Sequence, residues 1–136
     1  MALFAHLLGG TWSCVTQVPP TGAIPAHADR STAVFTREPG GVVHDRIVAP
    51  DYAGDFYIGY DGRNSRYWLI GADTLGTSIS LESADGLHYD GSASMGGIVM
   101  KDSATYDNVS ANETRAHEVF TRPGVQAVFD TICSRS

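Results

Sequence analysis

Among the side chains of this sequence, the histidines are the leading candidates for proton transfer or metal binding. Five are present, and His44, His88 and His117 fall in segments whose apolar and polar residues alternate as in β-strands. An imidazole can transfer a proton near neutral pH or bind a metal ion. Successive strand residues point to opposite faces, so these three are the histidines that could face the inside of a sheet structure. His6 and His27 lie at the periphery of the strand pattern.

Aromatic residues gather in the middle of the chain. Phe56 and Tyr60 share one face of their strand, and Tyr57 lies on the other. Binding pockets place a few polar groups in an apolar wall, so we expect some of this group to bind a ligand, although ordinary packing is the alternative for most of it. The candidate ligand-binding residues are Phe56, Tyr57, Tyr60, Tyr67, Trp68, His44, His88 and His117.

The segment around Asp45 does not show which of its faces is buried. Val43, Asp45 and Ile47 alternate with His44 and Arg46, so both faces mix apolar and ionisable groups. A charge turned inward would need a partner, because an unpaired buried charge costs several kcal/mol. We therefore expect the charges of this segment to lie in solvent, with Asp45 or Arg46 turned inward against a partner as the alternative.

Recognisable catalytic motifs are absent from the sequence. It contains no G-x-S-x-G, P-loop, G-x-G-x-x-G or H-E-x-x-H pattern, and its cysteines have no partner at metal-ligand spacing. Whether the protein is an enzyme stays open, and no metal site is predicted. The run of small residues from 91 to 97 leaves room inside a barrel for a small ligand; a bend or bulge at Gly96 and Gly97 is the alternative.

About ten strands must position these residues. The alternation places them at approximately 11–17, 31–37, 41–48, 54–60, 65–71, 76–82, 87–94, 98–108, 113–121 and 124–133. A short helix from Ala2 to Leu8 precedes them. The first connection, from Val18 to Arg30, is long and rich in proline, and the later ones are short turns rich in Gly, Asn, Asp and Pro.

This pattern predicts an all-β fold. Sequential antiparallel strands leave two exposed edges unless the sheet closes. We therefore expect an up-and-down antiparallel β-barrel of about 8–10 strands, forming a single domain over residues 1–136, with a two-layer sandwich as the alternative.

Composition excludes several classes of partner. The 136 residues are 43% hydrophobic and 18% charged, which is typical of a folded domain. The net charge of −6 argues against nucleic acid and anionic membrane surfaces. The segment from Met1 to Leu8 lacks the Lys or Arg of a signal peptide. The sequence as written therefore predicts a cytoplasmic protein, or a periplasmic or secreted one if a signal peptide has been removed, acting as a monomer or homodimer.

Two cysteines lie near the ends of the chain, at Cys14 and Cys133. If ten antiparallel strands close into a barrel, the first and last become neighbours and bring these residues together. Free thiols and a disulfide both remain open, and a disulfide would imply export.

The N-terminal segment Leu7-Leu8-Gly9-Gly10-Thr11-Trp12 resembles the opening of lipocalin-like (calycin) barrels, where a short helix leads to a G-x-W on the first strand. The resemblance continues through Gly59-Tyr60-Asp61-Gly62, Ser83-Ala84-Asp85-Gly86 and the C-terminal strand, and it is closest to the nitrobindin-like group of bacterial proteins. It implies that Trp12, after Gly10, closes one barrel end. Arg135 could stack on that ring; a solvated C-terminus is the alternative for this residue.

Three functions follow from these observations. The first is binding of a small hydrophobic or aromatic molecule in the barrel, and the second is a cyclase or isomerase acting on an apolar metabolite there. The resemblance also implies haem binding, but no histidine lies on the last strand, and His117 on the preceding strand falls on the face of Arg115, which favours solvent. We therefore predict no cofactor, with haem as the alternative.

Overall fold

The computed structural model describes residues 2–136, so Met1 of the predicted domain lies outside the described residues. A 3-10 helix, Ala2–Leu7, precedes ten strands in this part of the chain. The strands are β1 (Trp12–Val18), β2 (His27–Arg37), β3 (Val43–Ala49), β4 (Tyr52–Asp61), β5 (Arg66–Asp73), β6 (Thr77–Ser83), β7 (His88–Met95), β8 (Ile98–Ser110), β9 (Glu113–Arg122) and β10 (Val125–Arg135).

The ten strands form a closed antiparallel barrel in which each strand pairs with its neighbours in the chain. Closure occurs between β1 and β10, whose ladder pairs Trp12 with Arg135 and Cys14 with Cys133. The predicted all-β up-and-down barrel is therefore confirmed, and the two-layer sandwich is excluded. Closure leaves the sheet without a free edge.

Two elements differ from the sequence prediction. The N-terminal helix is a 3-10 helix and not an α-helix, since its six residues give too few turns for a stable α-helix. Strand β2 begins at His27, where it pairs with Val18, so the predicted first loop is shorter than expected. Pro25 is the last residue of that loop without a backbone N–H to donate to a β-ladder, so a strand can begin soon after it. The residues that follow it are mostly polar and do not alternate regularly with apolar ones, so the sequence pattern does not indicate the strand there.

Gly96 and Gly97 form the turn between β7 and β8. Both have positive φ angles, 58° and 85°, which suit the tight turn of a two-residue hairpin and are accessible to glycine at little cost. The predicted bend at this position is thus a turn. The described chain contains no helix with the length and apolar character needed to cross a membrane.

The inner face of the barrel is densely packed at one end, which we call the plug end. There the 3-10 helix lies against the barrel, and Phe4, Leu7 and Trp12 are buried. The inward-facing residues that pack around them are Cys14, Ala33, Phe35, Val43, Ile58, Leu69, Leu81, Tyr89 and Ala104.

The opposite end, which we call the mouth half, is filled only on one side. Ala93, Met100 and Phe120 form a second buried cluster on β7, β8 and β9. The remaining inner face is only half-buried, although it lies inside a closed barrel. It consists of Thr16, Ser31, Asp45, Ile47, Tyr52, Phe56, Ile79, Met95, Glu118, Phe129 and Thr131.

Candidate functional site

The plug end is built around the indole of Trp12. This ring is fully buried, and its Nε1 donates a hydrogen bond to the carbonyl oxygen of Leu7 at 3.0 Å. The Arg135 guanidinium lies 4.5 Å from the ring centroid and donates to the carbonyl oxygens of His6 and Gly9. Arg135 therefore ties the 3-10 helix to the last strand and covers the ring that closes the barrel.

Gly10 provides the close approach that this arrangement needs. Its φ is +75°, and a Cβ built there would stand 3.4 Å from the guanidinium of Arg135. A side chain at this position would be strained by the positive φ, while its Cβ would only touch the guanidinium of Arg135 at van der Waals distance. Gly10 thus has a structural role at the plug end.

Cys14 and Cys133 form a disulfide across the strand pair that closes the barrel. Their Cα atoms are 4.0 Å apart although 119 positions separate them in the chain. The sequence left free thiols and a disulfide open, and the structure contains the disulfide. The disulfide reinforces closure at the point where the two ends of the chain meet.

The three strand histidines do not face the barrel interior. The His44 imidazole, on the outer face of β3, bonds to Asp55 at 2.7 Å and stacks on Tyr57 with 4.5 Å between ring centroids. His88 and His117 have side chains 63% and 54% exposed. All three lie on strand positions that alternate with the inward ones. His44 and His88 thus lie outside, where the sequence allowed an inward position, and His117 lies in solvent on the face of Arg115.

Outer-face carboxylates hold these histidines in place. The Nδ1 atom of His88 lies 2.6 Å from Asp85, and His117 bonds to Asp130. The hydrogen bond from His44 lowers the pKa of Asp55, and the backbone N–H groups of His88 and Leu87 lower that of Asp85. These contacts order the outer wall. The interior receives none of the three imidazoles as an axial ligand, so the residues present do not fit haem.

The predicted aromatic group is divided between the two faces. Phe56 lies on the inner face, where its ring covers Gly54 and Gly71; a Cβ on Gly71 would come within 2.3 Å of that ring. Trp68 lies on the outer face over Gly59, where a Cβ would meet the indole at 2.0 Å. Both rings lie flat against the wall because glycines leave space beneath them.

Tyr60 and Tyr67 are neighbours across β4 and β5 near the plug end, with ring centroids 4.9 Å apart. Tyr67 and Trp68 also line an outer hollow of about 370 Å³ with Asp61, Asn64, Arg66 and Glu82. The structure therefore does not bring the eight predicted ligand-binding residues into one site. Of the eight, Phe56 is the one that faces the mouth half.

Three carboxyl groups lie on the inner face instead, and we call them the acid cluster: Asp45 on β3, Asp102 on β8 and Glu118 on β9. Asp45 stands between the inward residues Val43 and Ile47. Asp102 is completely buried, and Glu118 is half-buried. Sequence reasoning placed the charge of Asp45 in solvent, and the structure corrects this. It did not consider Asp102 or Glu118 as site residues.

Burial raises the pKa of each acid, so these carboxyls stay protonated to a higher pH than exposed ones. It raises the pKa of Asp45 to about 7, with a further contribution from the charge of Asp55. Burial and the adjoining carboxyl of Asp102 raise the pKa of Glu118 far above its usual range. Burial also raises the pKa of Asp102. The charged form of a carboxyl is disfavoured where water is excluded and a like charge is near.

The charges of the acid cluster also affect two tyrosines of the barrel, Tyr106 and Tyr52. Burial raises the pKa of Tyr106, and the charges of Glu118, Asp45 and Asp102 raise it further. The pKa of Tyr52 is raised by burial, by Asp73, and by Asp45 and Glu118. The acids of β3 and those of β8 and β9 occupy inward positions on opposite walls, so all three face the same barrel interior.

An open hollow of about 360 Å³ lies at the rim of the mouth half. It is formed where the end of β1, the start of β2 and the start of β10 meet. The residues that line it are Gln17, Val18, Pro19, Ala26, His27, Ala28 and Val128. It lies beside the half-buried interior and not over the plug end.

Counting faces within each strand could have found the acid cluster. The face of Val43 carries one ionisable residue, Asp45, while the opposite face carries both His44 and Arg46. In the same way, Glu118 shares a face with Ala116 and Phe120. The signal is weak because a lone acid on an apolar face contradicts the rule that charges lie in solvent.

No protein-family model matches the chain, and no curated protein matches it. The closed up-and-down barrel is consistent with the lipocalin-like resemblance, whereas the nitrobindin-like group receives no support from these comparisons.

Proposed function

We propose that the protein binds a small, mainly apolar or aromatic molecule in the mouth half of its barrel. The observation that carries the proposal is the unequal burial of the inner face. At the plug end, twelve buried residues of the described chain form one cluster, whereas Phe129 and Met95 in the mouth half are only half-buried. Phe56, between the two, is also half-buried and packs against the plug-end cluster. A ligand that covers exposed apolar surface inside a closed barrel removes this surface from water, and this lowers the free energy of the complex.

The plug end supports this proposal by closing the other entrance. Trp12, Phe4 and Leu7 fill that end, so a ligand would enter through the mouth half. A closed barrel with one plugged end and a G-x-W on its first strand also supports membership of the lipocalin-like barrels, which remains part of the proposal. Monomer or homodimer remains the expected state.

A neutral fluorescent probe, N-phenyl-1-naphthylamine, tests the proposal, because its emission rises in apolar surroundings. We expect saturable binding to the native protein. Thr131→Trp places a large ring on the inner face of the mouth half and should abolish binding. Ile132→Trp, one residue away on the outer face, is the matched control, since Ile132 is 45% exposed.

Binding that is lost in Thr131→Trp and kept in Ile132→Trp supports an interior site. No saturable binding to the native protein, or equal affinity in both variants, would overturn the proposal. The Thr131 hydroxyl bonds to that of Thr16 at 2.8 Å, so far-UV circular dichroism must first show that each variant retains its strands.

A second candidate is an isomerase or cyclase on the same site. Asp45 favours it, because a carboxyl whose pKa burial raises to about 7 can act as general base or acid at neutral pH. A ligand found by the probe assay would be incubated in D2O. Protein-dependent exchange of a carbon-bound proton, lost in Asp45→Asn, supports catalysis; no exchange while the ligand is bound argues for passive binding.

The disulfide supports a working location in an oxidising compartment, since bridges of this kind persist there and are rare in the cytosol. Thiol labelling of the protein in its native cells tests this. Unreactive cysteines before reduction support an oxidising compartment, and free thiols would support the cytoplasm.

A further inference from the structure

The acid cluster places several negative or potentially negative groups around one interior region. Asp45 comes from β3, and Asp102 and Glu118 come from β8 and β9 on the opposite wall. Asp45 and Glu118 both influence Tyr52 and Tyr106 electrostatically. Asp45 lies between the inward residues Val43 and Ile47, and Glu118 lies two positions before the inward Phe120, so both carboxyls face the interior of the same closed barrel.

These acids lack the partners that buried carboxyls usually have. Asp102 is 0% exposed, and no N–H or hydroxyl group of residues 2–136 donates to its oxygens. The carboxyl of Glu118 adjoins it and can donate a hydrogen bond to one of these oxygens only while it keeps its proton. The Oδ1 atom of Asp45 is also buried without a partner in the described chain. Buried polar groups are nearly always hydrogen-bonded. The Oδ1 atom of Asp45, and the Asp102 oxygen that Glu118 does not satisfy, therefore point to a donor that the chain does not supply.

The strands that carry the acid cluster do not provide a compensating positive charge. Arg46 lies on the outer face of β3 and pairs with Asp55, and Arg115 pairs with Glu113. Lys101 and Arg122 are exposed. Arg135 is engaged at the plug end with Trp12 and the carbonyls of the 3-10 helix. A positive charge near the acid cluster would therefore come from a bound molecule.

Aromatic and thioether groups adjoin the acids in the mouth half. Phe120 and Phe129 meet edge to face, with 5.6 Å between centroids, and Met95 packs beside them. Such a wall suits an apolar body and attracts a cation through the ring faces. We propose that the ligand is an organic cation, an aromatic or aliphatic body that carries a protonated amine directed at Asp45 and Glu118.

This inference rests on the proposed function and names the chemical class of its ligand. The amine would donate hydrogen bonds to oxygens that are now unpartnered, and its charge would favour ionisation of the acids around it. A carboxylate of the same size would meet like charge and be rejected. A neutral alcohol would bind through its apolar body alone.

The test is competition against N-phenyl-1-naphthylamine at pH 8 by phenethylamine, 2-phenylethanol and phenylacetate. These three share one ring and differ in the charge of the end group. We expect the amine to displace the probe at a concentration at least about tenfold lower than the alcohol, which is 1.4 kcal/mol. Phenylacetate should be the weakest competitor.

Asp45→Asn and Glu118→Gln should each reduce the preference of amine over alcohol several-fold while the neutral probe still binds. Asp107→Asn, which removes an exposed carboxyl, should leave the preference unchanged. An amine no better than the alcohol, or a preference that survives both interior variants together, would overturn the inference.

The competition distinguishes this failure from failure of the proposed function. If the probe binds in the mouth half but the amine has no advantage, the binding function stands and the ligand class is wrong. If the probe does not bind and isothermal calorimetry detects none of the three compounds, both are overturned.

Discussion

The two ends of the barrel interior are built from the same strands but in opposite ways. At the plug end, twelve buried residues of the described chain form one cluster that includes Trp12, and the polar groups of Trp12 and Arg135 are hydrogen-bonded. In the mouth half, the inner face is partly exposed and contains carboxyl oxygens without partners among residues 2–136. Stability is therefore concentrated at one end, which leaves the other free to hold unfavourable groups that a ligand can satisfy.

The largest expected difference between the two ends is in stability. Trp12→Ala removes a fully buried ring, its hydrogen bond and its contact with Arg135, and should lower the free energy of unfolding by about 3–5 kcal/mol. Phe129→Ala, at a half-buried position of the mouth half, should lower it by about 1–2 kcal/mol. Urea denaturation of both variants measures the contrast, and equal losses would contradict it.

The disulfide should affect stability without deciding the fold. Reduction removes a cross-link that closes a loop of more than 100 residues and should lower the free energy of unfolding by about 2–4 kcal/mol. The ladder between β1 and β10 has six backbone pairs, so the reduced protein should keep its far-UV circular dichroism. Loss of the β spectrum on reduction in the absence of denaturant would show that the ladder cannot close the barrel alone.

The acid cluster should make the mouth half sensitive to pH. The folded protein holds the proton of Asp45 up to about pH 7, while the unfolded chain releases it near its ordinary value of 3.8. The unfolded state is thus favoured as pH rises through this window, and the native protein loses stability between about pH 4 and pH 7. The loss persists at higher pH.

Asp45→Asn removes that dependence. The variant should be about as stable as the native protein at pH 4 and more stable at pH 8, by about 2–4 kcal/mol, from the 1.36 kcal/mol per pKa unit of linkage. Thermal denaturation at the two pH values measures this, with Asp107→Asn as the exposed control. Lower stability of Asp45→Asn at pH 8 would contradict the burial of an ionisable, unpartnered acid.

The sequence predicts the fold better than the site, and the reason is physical. Strand alternation and turns such as Gly96-Gly97 are local, so all ten strands were predicted and closure followed from their number and order. The direction of a side chain depends on which face of its strand is buried. On β3, both faces mix apolar and charged residues, and the prediction for Asp45 was therefore wrong. Their strand positions allow His44 and His88 to face inward and favour solvent for His117; the structure has all three on the outer face.

The smallest expected effect on stability comes from Arg135→Lys at the plug end. Arg135→Lys keeps the charge but loses the planar guanidinium that stacks on Trp12 and bonds two carbonyls at once. It should lower the free energy of unfolding by about 1 kcal/mol, and the probe affinity of the mouth half should not change. Weaker probe binding in this variant would show that the two ends are not independent.

The central claim is that a ligand binds inside the mouth half and not on the outer wall. Two-dimensional NMR of the protein during titration with N-phenyl-1-naphthylamine tests this most directly, because each amide reports its own surroundings. The account predicts shifts at Asp45, Phe129 and Thr131, with little change at Trp12 or Tyr89 of the plug end. Shifts confined to His44, Tyr57 and Trp68 on the outer face, or no shifts at saturating probe, would contradict it.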